Sequence, residues 1–198
     1  MRFRMKVAAT TCLLLLPTGA LADTESEVRE AAKEAMTLFE KGDMAGAAGQ
    51  FDYAAQLIRQ QKAGDLAALL PPAPSGWTAE EAETEAIGTA MMGGGVHASR
   101  TYLRGDDNME LSIMADSPMV QSMAAMVQNP TLIAASGGKL EKVGNYRAAV
   151  KYEAEAKSGE VTLIVDNRVL VSVKSEGASR DEMMALLNKL DLAKLAKT

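Results

Sequence analysis

The chain has 198 residues, 47% of them hydrophobic, with 21 basic against 26 acidic side chains and a net charge of −5. That length supports one ordinary hydrophobic core with a smaller appendage, and the acidic balance argues against nucleic acid or an anionic membrane surface as a partner. One histidine, His97, and one cysteine, Cys12, leave too few ligands for the common zinc sets and no thiol pair for a disulfide.

The chain opens with MRFRMKVAATTCLLLLPTGALA: Arg2, Arg4 and Lys6, an apolar run from Val7 to Leu16, a proline-glycine break, and the small-x-small triplet Ala20-Leu21-Ala22. This is the pattern of a secretory signal peptide over residues 1–22, cut near Ala22, and it predicts a periplasmic or secreted protein. The apolar run is shorter than the roughly 20 residues that span a bilayer, and nothing later in the chain indicates peripheral membrane association. Cys12 leaves with the leader, so the remaining chain enters an oxidising compartment without a thiol and relies on its core alone.

Residues 23–70 have helical periodicity. Thr24 and Glu27 are spaced as a capping box, and Val28, Ala31, Ala32, Ala35, Met36, Leu38 and Phe39 recur at helical intervals up to a stop at Gly42. KGDMAG then turns into a second helix carrying Ala47, Phe51, Ala54, Ala55, Leu57 and Ile58, which predicts an antiparallel helical hairpin. LLPPAPSGW follows, and its prolines make residues 71–77 a stiff linker.

Residues 78–198 change period. NMELSIMA, YRAAVKY, EVTLIVD and RVLVSVK alternate apolar with polar side chains, as half-buried strands do. Gly93-Gly94-Gly95, Gly105-Asp106-Asp107, Gly144-Asn145, Ser158-Gly159 and Asp166-Asn167 lie between such runs and read as hairpin turns. A helix over Ser117 to Asn129 interrupts them, with Ser117 as N-cap and Pro130 as the stop. A last helix begins at the capping box Ser179-x-x-Glu182. The predicted fold class is α+β: an N-terminal helical hairpin, then an antiparallel sheet of about seven strands packed against two helices.

Two resemblances accompany these patterns. GDMAGAAGQFDYAAQL resembles the middle of a tetratricopeptide repeat, with Ala47, Phe51 and Ala54 in the small, aromatic and small positions. Only one repeat is present, and a lone unit docks either on its own domain or on a partner; Phe39 and Phe51 are the side chains through which it would meet a protein partner in the periplasm. The order of elements from Trp77 to Thr198 is similar to the PsbP-like sandwich of exported accessory proteins. LLPPAPSGW together with DSPMVQSMAAMVQNP also resembles uncharacterised exported proteins of Gram-negative bacteria.

The chemistry available is narrow. A serine triad would need His97 and a Gly-x-Ser-x-Gly elbow, which the sequence lacks. GGG lacks the strand-to-helix setting of a phosphate loop, and the Arg104-Gly105-Asp106 tripeptide reads as a turn. Glu80, Glu81, Glu83 and Glu85 fall in what composition suggests is a solvated helix, so a carboxylate hydrolase is the poorest reading. No cofactor motif is present, and the chain reads as a non-enzymatic binding or accessory protein. Methionines supply the one alternative: Met119, Met123 and Met126, at i, i+4 and i+7, share a helix face and read first as core filling. The alternatives are that they hold Cu(I) through soft thioethers, with Met91, Met92 and His97 completing the set, or offer an adaptable face to an apolar ligand.

Overall fold

The computed structural model describes residues 20–88 and 94–198, with side chains from Thr24 onward. Two helices come first, α1 (Ala20–Glu40) and α2 (Met44–Ala67). Gly42 ends α1 in the left-handed conformation at φ 81°, and the Asp43 carboxylate caps α2 by accepting from the Gly46 amide at 2.9 Å. Thr24 lies inside α1 and does not cap it, because the helix begins four residues earlier.

Eight strands follow: β1 (Thr78–Ala79), β2 (Glu83–Ile87), β3 (Gly95–Arg104), β4 (Asp107–Ala115), β5 (Lys139–Val143), β6 (Tyr146–Glu153), β7 (Ser158–Val165) and β8 (Val169–Glu176). They form one antiparallel sheet in the order β1-β3-β4-β8-β7-β6-β5, with β2 also paired to β3. The acidic segment expected to be helical is therefore an edge strand, with Glu83 opposite Ser99 and Glu85 opposite His97.

Between β4 and β5 the chain forms α3 (Pro118–Val127) and α4 (Pro130–Ala135). α3 ends before Pro130 as expected, with Asn129 extended, and Pro130 also opens α4, capped by the Asn129 side chain, since proline lacks only an N–H that a first turn leaves free anyway. The C-terminal helix is likewise two, α5 (Arg180–Leu187) and α6 (Leu192–Leu195), with Asp191 capping the second. The turn expected at Ser158-Gly159 belongs to the residues before it, where Lys157 takes φ 47°; Ser158 and Gly159 already pair in β7. Asp166 and Asn167 turn as expected, both left-handed at φ 49° and 56°.

Alternation splits the sheet into two faces. Ala98, Ile113, Val171, Leu163 and Ala148 stand in register on one face and are buried. The C-terminal half of α2 (Ala63, Leu66), Leu70, Trp77, α5 (Met183, Leu186, Leu187) and Leu195 of α6 cover that face, each large apolar side chain contributing about 1.5–3 kcal/mol on burial. On the other face α3 lays Val120, Ala124 and Val127 over Ile164 and Leu170. Beside that contact the face carries the polar row Ser99, Ser112, Ser172 and Thr162.

The proline segment is docked on the sheet. The buried Tyr102 hydroxyl donates to the Pro71 carbonyl at 2.7 Å, and the Arg100 guanidinium donates to the carbonyls of Leu70 and Pro71 at 3.1 and 3.2 Å. Burial pushes the Tyr102 hydroxyl up to about 12 although nearby Arg100 opposes this, so it remains a donor at physiological pH. Gly177, following β8, takes φ 94°, and a Cβ there would stand 2.0 Å from the Asp107 carboxylate; only glycine fits.

Candidate interaction surface

Among the described residues, six of the eight exposed large hydrophobic side chains lie on the helical hairpin. α2 lies between α1 and the β2–β3 edge, to which Gln56 donates a bond at the Ala86 carbonyl. Buried Ala31 and Ala35 on α1 meet buried Ala47, Ala54 and Leu57 on α2, and alanine at a contact lets two helix axes approach closely.

At about 100° per residue, two opposite broad sides flank that line of contact. One side carries Glu27, Glu30 and Glu34 of α1 with Tyr53 of α2 around a shallow concavity of about 330 Å³. The other carries Met36 and Phe39 of α1 with Met44, Phe51 and Ile58 of α2, exposed by 50, 51, 58, 45 and 53% respectively. On α2 these residues continue as Met44, Ala48, Phe51, Ala55 and Ile58, the alternating four- and three-residue spacing of a helix seam. A run of this size on one side is the signature of an interaction face, unlike single scattered apolar residues. Phe39 and Phe51, the two side chains the sequence points to, both lie on it.

The methionine trio is arranged differently from the expectation. α3 uses Val120, Ala124 and Val127 as its buried line, so the methionines fall on its flank: Met119 and Met123 are half-buried and Met126 is 49% exposed. The three do not converge on a common centre in the core. His97 is paired in register with Met114, and Met114 and Met123 each pack against the α3 cluster. Met91 and Met92 lie outside the described residues. Among the described residues no three His, Cys, Asp or Glu side chains gather as a metal-ligand group. Glu80, Glu81, Glu83 and Glu85 are all exposed at the sheet edge.

One constellation was hidden in the sequence. The Arg104 guanidinium stacks over the Trp77 ring at 4.2 Å and pairs with Asp107 at 3.0 Å and with Glu182. Glu182 also accepts from the Trp77 indole N–H at 3.3 Å and closes the capping box with the Ser179 amide at 2.9 Å. Burial works against the Glu182 charge, but the Ser179 amide, Arg104, the Ser179 hydroxyl and Trp77 together hold its carboxyl down to about 2. These bonds all run within the chain, so the cluster clamps the end of the proline segment to α5.

Comparison of the chain with protein-family models, with curated proteins and with solved structures finds no match in any of the three. The hairpin-then-sheet architecture thus stands on the coordinates, and no family is assigned.

Proposed function

We propose that this is an exported, non-enzymatic binding or accessory protein that meets a protein partner through the Met36–Phe39–Met44–Phe51–Ile58 side of its helical hairpin. The observation that carries the reading is the contrast between the two broad sides of one hairpin: one acidic, the other a run of five large apolar side chains left about half exposed. The leader-like first 22 residues, the tetratricopeptide-like spacing of Ala47, Phe51 and Ala54, and the likeness of element order to PsbP-like accessory proteins agree with it. Mixed charge on the hairpin and a net acidic chain favour a protein over an anionic lipid surface.

The test is site-specific photo-crosslinking in the exporting cell. A crosslinker placed at Phe39 or Phe51 is expected to capture a protein, and one at Tyr53 on the acidic side is expected to capture none. Equal capture at all three positions, or none at any, removes the reading.

A second reading, Cu(I) handling, draws on one observation: His97 and Met114 are cross-strand neighbours, and Met114 and Met123 both pack against the α3 cluster. An imidazole and two thioethers on the α3 side of the sheet are soft enough for Cu(I). Titration against a Cu(I) chelator should then show affinity falling at least tenfold in a His97→Ala, Met114→Leu, Met123→Leu variant. An unchanged isotherm ends this reading.

A further inference from the structure

We infer that the occupant of the hairpin's apolar side is a second copy of this chain, joined about a two-fold axis running parallel to the helices; the inference rests on the reading of that side as a protein-binding face. Such an axis lays α1 of each copy over α2 of the other and makes an antiparallel four-helix bundle. Residues equidistant from the Gly42 turn then face each other across the interface.

The consequences for side-chain size can be read directly from the sequence. Met36 of α1 falls at the level of the second copy's Ala48, between its Met44 and Phe51. Phe51 of α2 falls at the level of the second copy's Lys33, one residue from Ala32, the small side chain on that side of α1. Large side chains thus meet small ones at or beside both levels, as knobs enter holes in packed helices. Because the operation is its own inverse, each fit occurs twice.

Charge follows the same symmetry. Glu25 and Arg59 are equidistant from Gly42, so each Glu25 stands at the level of the second copy's Arg59. Among the described residues Arg59 has no carboxylate partner and contacts the neutral Gln56 side chain at 3.3 Å. Glu25 already pairs with Arg29 on the exposed surface, and a carboxylate can accept from both guanidinium groups. β2 and β3 pack on the flank of α2 that carries Gln56, while Lys194 and Thr198 near the C-terminus border Ile58 at the far end of the face.

The size of the face is sufficient. Two helices of about 20 residues span roughly 30 Å, and a pair at ordinary spacing is about 20 Å wide. That gives on the order of 600 Å² per copy, or about 1,200 Å² in all, the lower end of the range for specific interfaces. The dimer is therefore expected to be reversible.

Sedimentation equilibrium of the purified chain at tens of micromolar should return about twice the monomer mass, falling to the monomer on dilution. Met36→Glu and Phe51→Glu should each weaken association at least tenfold while leaving the circular dichroism spectrum and melting temperature unchanged, because both side chains are half exposed in the monomer. Arg59→Glu should weaken it several-fold, and adding Glu25→Arg to that variant should restore it. A chain that stays monomeric throughout this range overturns the inference. If it does so while the Phe51 crosslinker captures a different protein, the hairpin still binds a partner and only the identity of the occupant is wrong; if the crosslinker also captures nothing, both readings fall. Dimerisation that survives Phe51→Glu and Met36→Glu places the contact elsewhere and overturns the inference as well.

Discussion

Trp77→Ala should destabilise the protein by about 3–5 kcal/mol, the usual range for deleting a buried aromatic side chain, and lower the melting temperature on the order of 10 °C. Trp77 is 6% exposed and packs in the main core with Leu66, Leu70 and the sheet. Its loss also strips Arg104 of the ring beneath it at 4.2 Å and Glu182 of a donor at 3.3 Å. Because Trp77 is the sole tryptophan, unfolding of the variant has to be followed by circular dichroism. Trp77→Phe keeps much of the apolar area and loses the indole N–H, so it should recover most of the difference. A Trp77→Ala variant melting within a degree or two of the parent would show that the proline segment is not clamped as described.

Glu182→Gln is the second large effect, and it has a pH signature. The folded carboxyl is held down to about 2, against 4.5 for the ordinary group. As pH falls, the unfolded chain takes up its proton first, so the stabilisation is complete above about 4.5 and is lost progressively on the way down to 2. A third of the side chain is reached by solvent, 33% for Glu182 and 37% for Arg104, so screening reduces the contribution to about 1–2 kcal/mol. Urea denaturation of the parent should therefore lose about half of that amount between pH 5 and pH 3 beyond what the Gln variant loses. The Gln variant should already be weaker at pH 7, since an amide pairs less strongly with Arg104 and leaves one capping bond weaker. Parallel stability curves for the two proteins over this range would refute the role given to Glu182.

What the sequence disclosed and what it concealed divide along the distance between interacting residues. The hairpin stop at Gly42, the Ser117 and Ser179 caps and the left-handed pair Asp166-Asn167 are local devices, each requiring only a few consecutive residues, and all were legible. The edge strand β2 was misread because ETEAI is rich in helix formers; pairing with β3 overrides that weak preference. In α3 two lines share the same spacing, Met119-Met123-Met126 and Val120-Ala124-Val127, and periodicity cannot rank them. Entry into the helix decides, through Asp116 at φ 56° and the Ser117 cap, which turns the valine line onto Ile164 and Leu170. The clamp among Trp77, Arg104 and Glu182 joins residues as far as 105 positions apart, and no short pattern announces it. The apolar side of the hairpin was half visible: Phe39 and Phe51 stood out, but Met36, Met44 and Ile58 could be assigned to it only once the buried alanine line was known.

The strand order carries a consequence for how the molecule is made. β4 finds one of its two neighbours in β3, immediately before it, and the other in β8, so that Ile113 waits for Val171. The middle of the sheet thus joins chain segments separated by an entire meander, a high-contact-order closure whose loop entropy must be met before its contacts form. Synthesis from the N-terminus delivers β8 nearly last, so the β1–β4 half is made well before the neighbour that completes it.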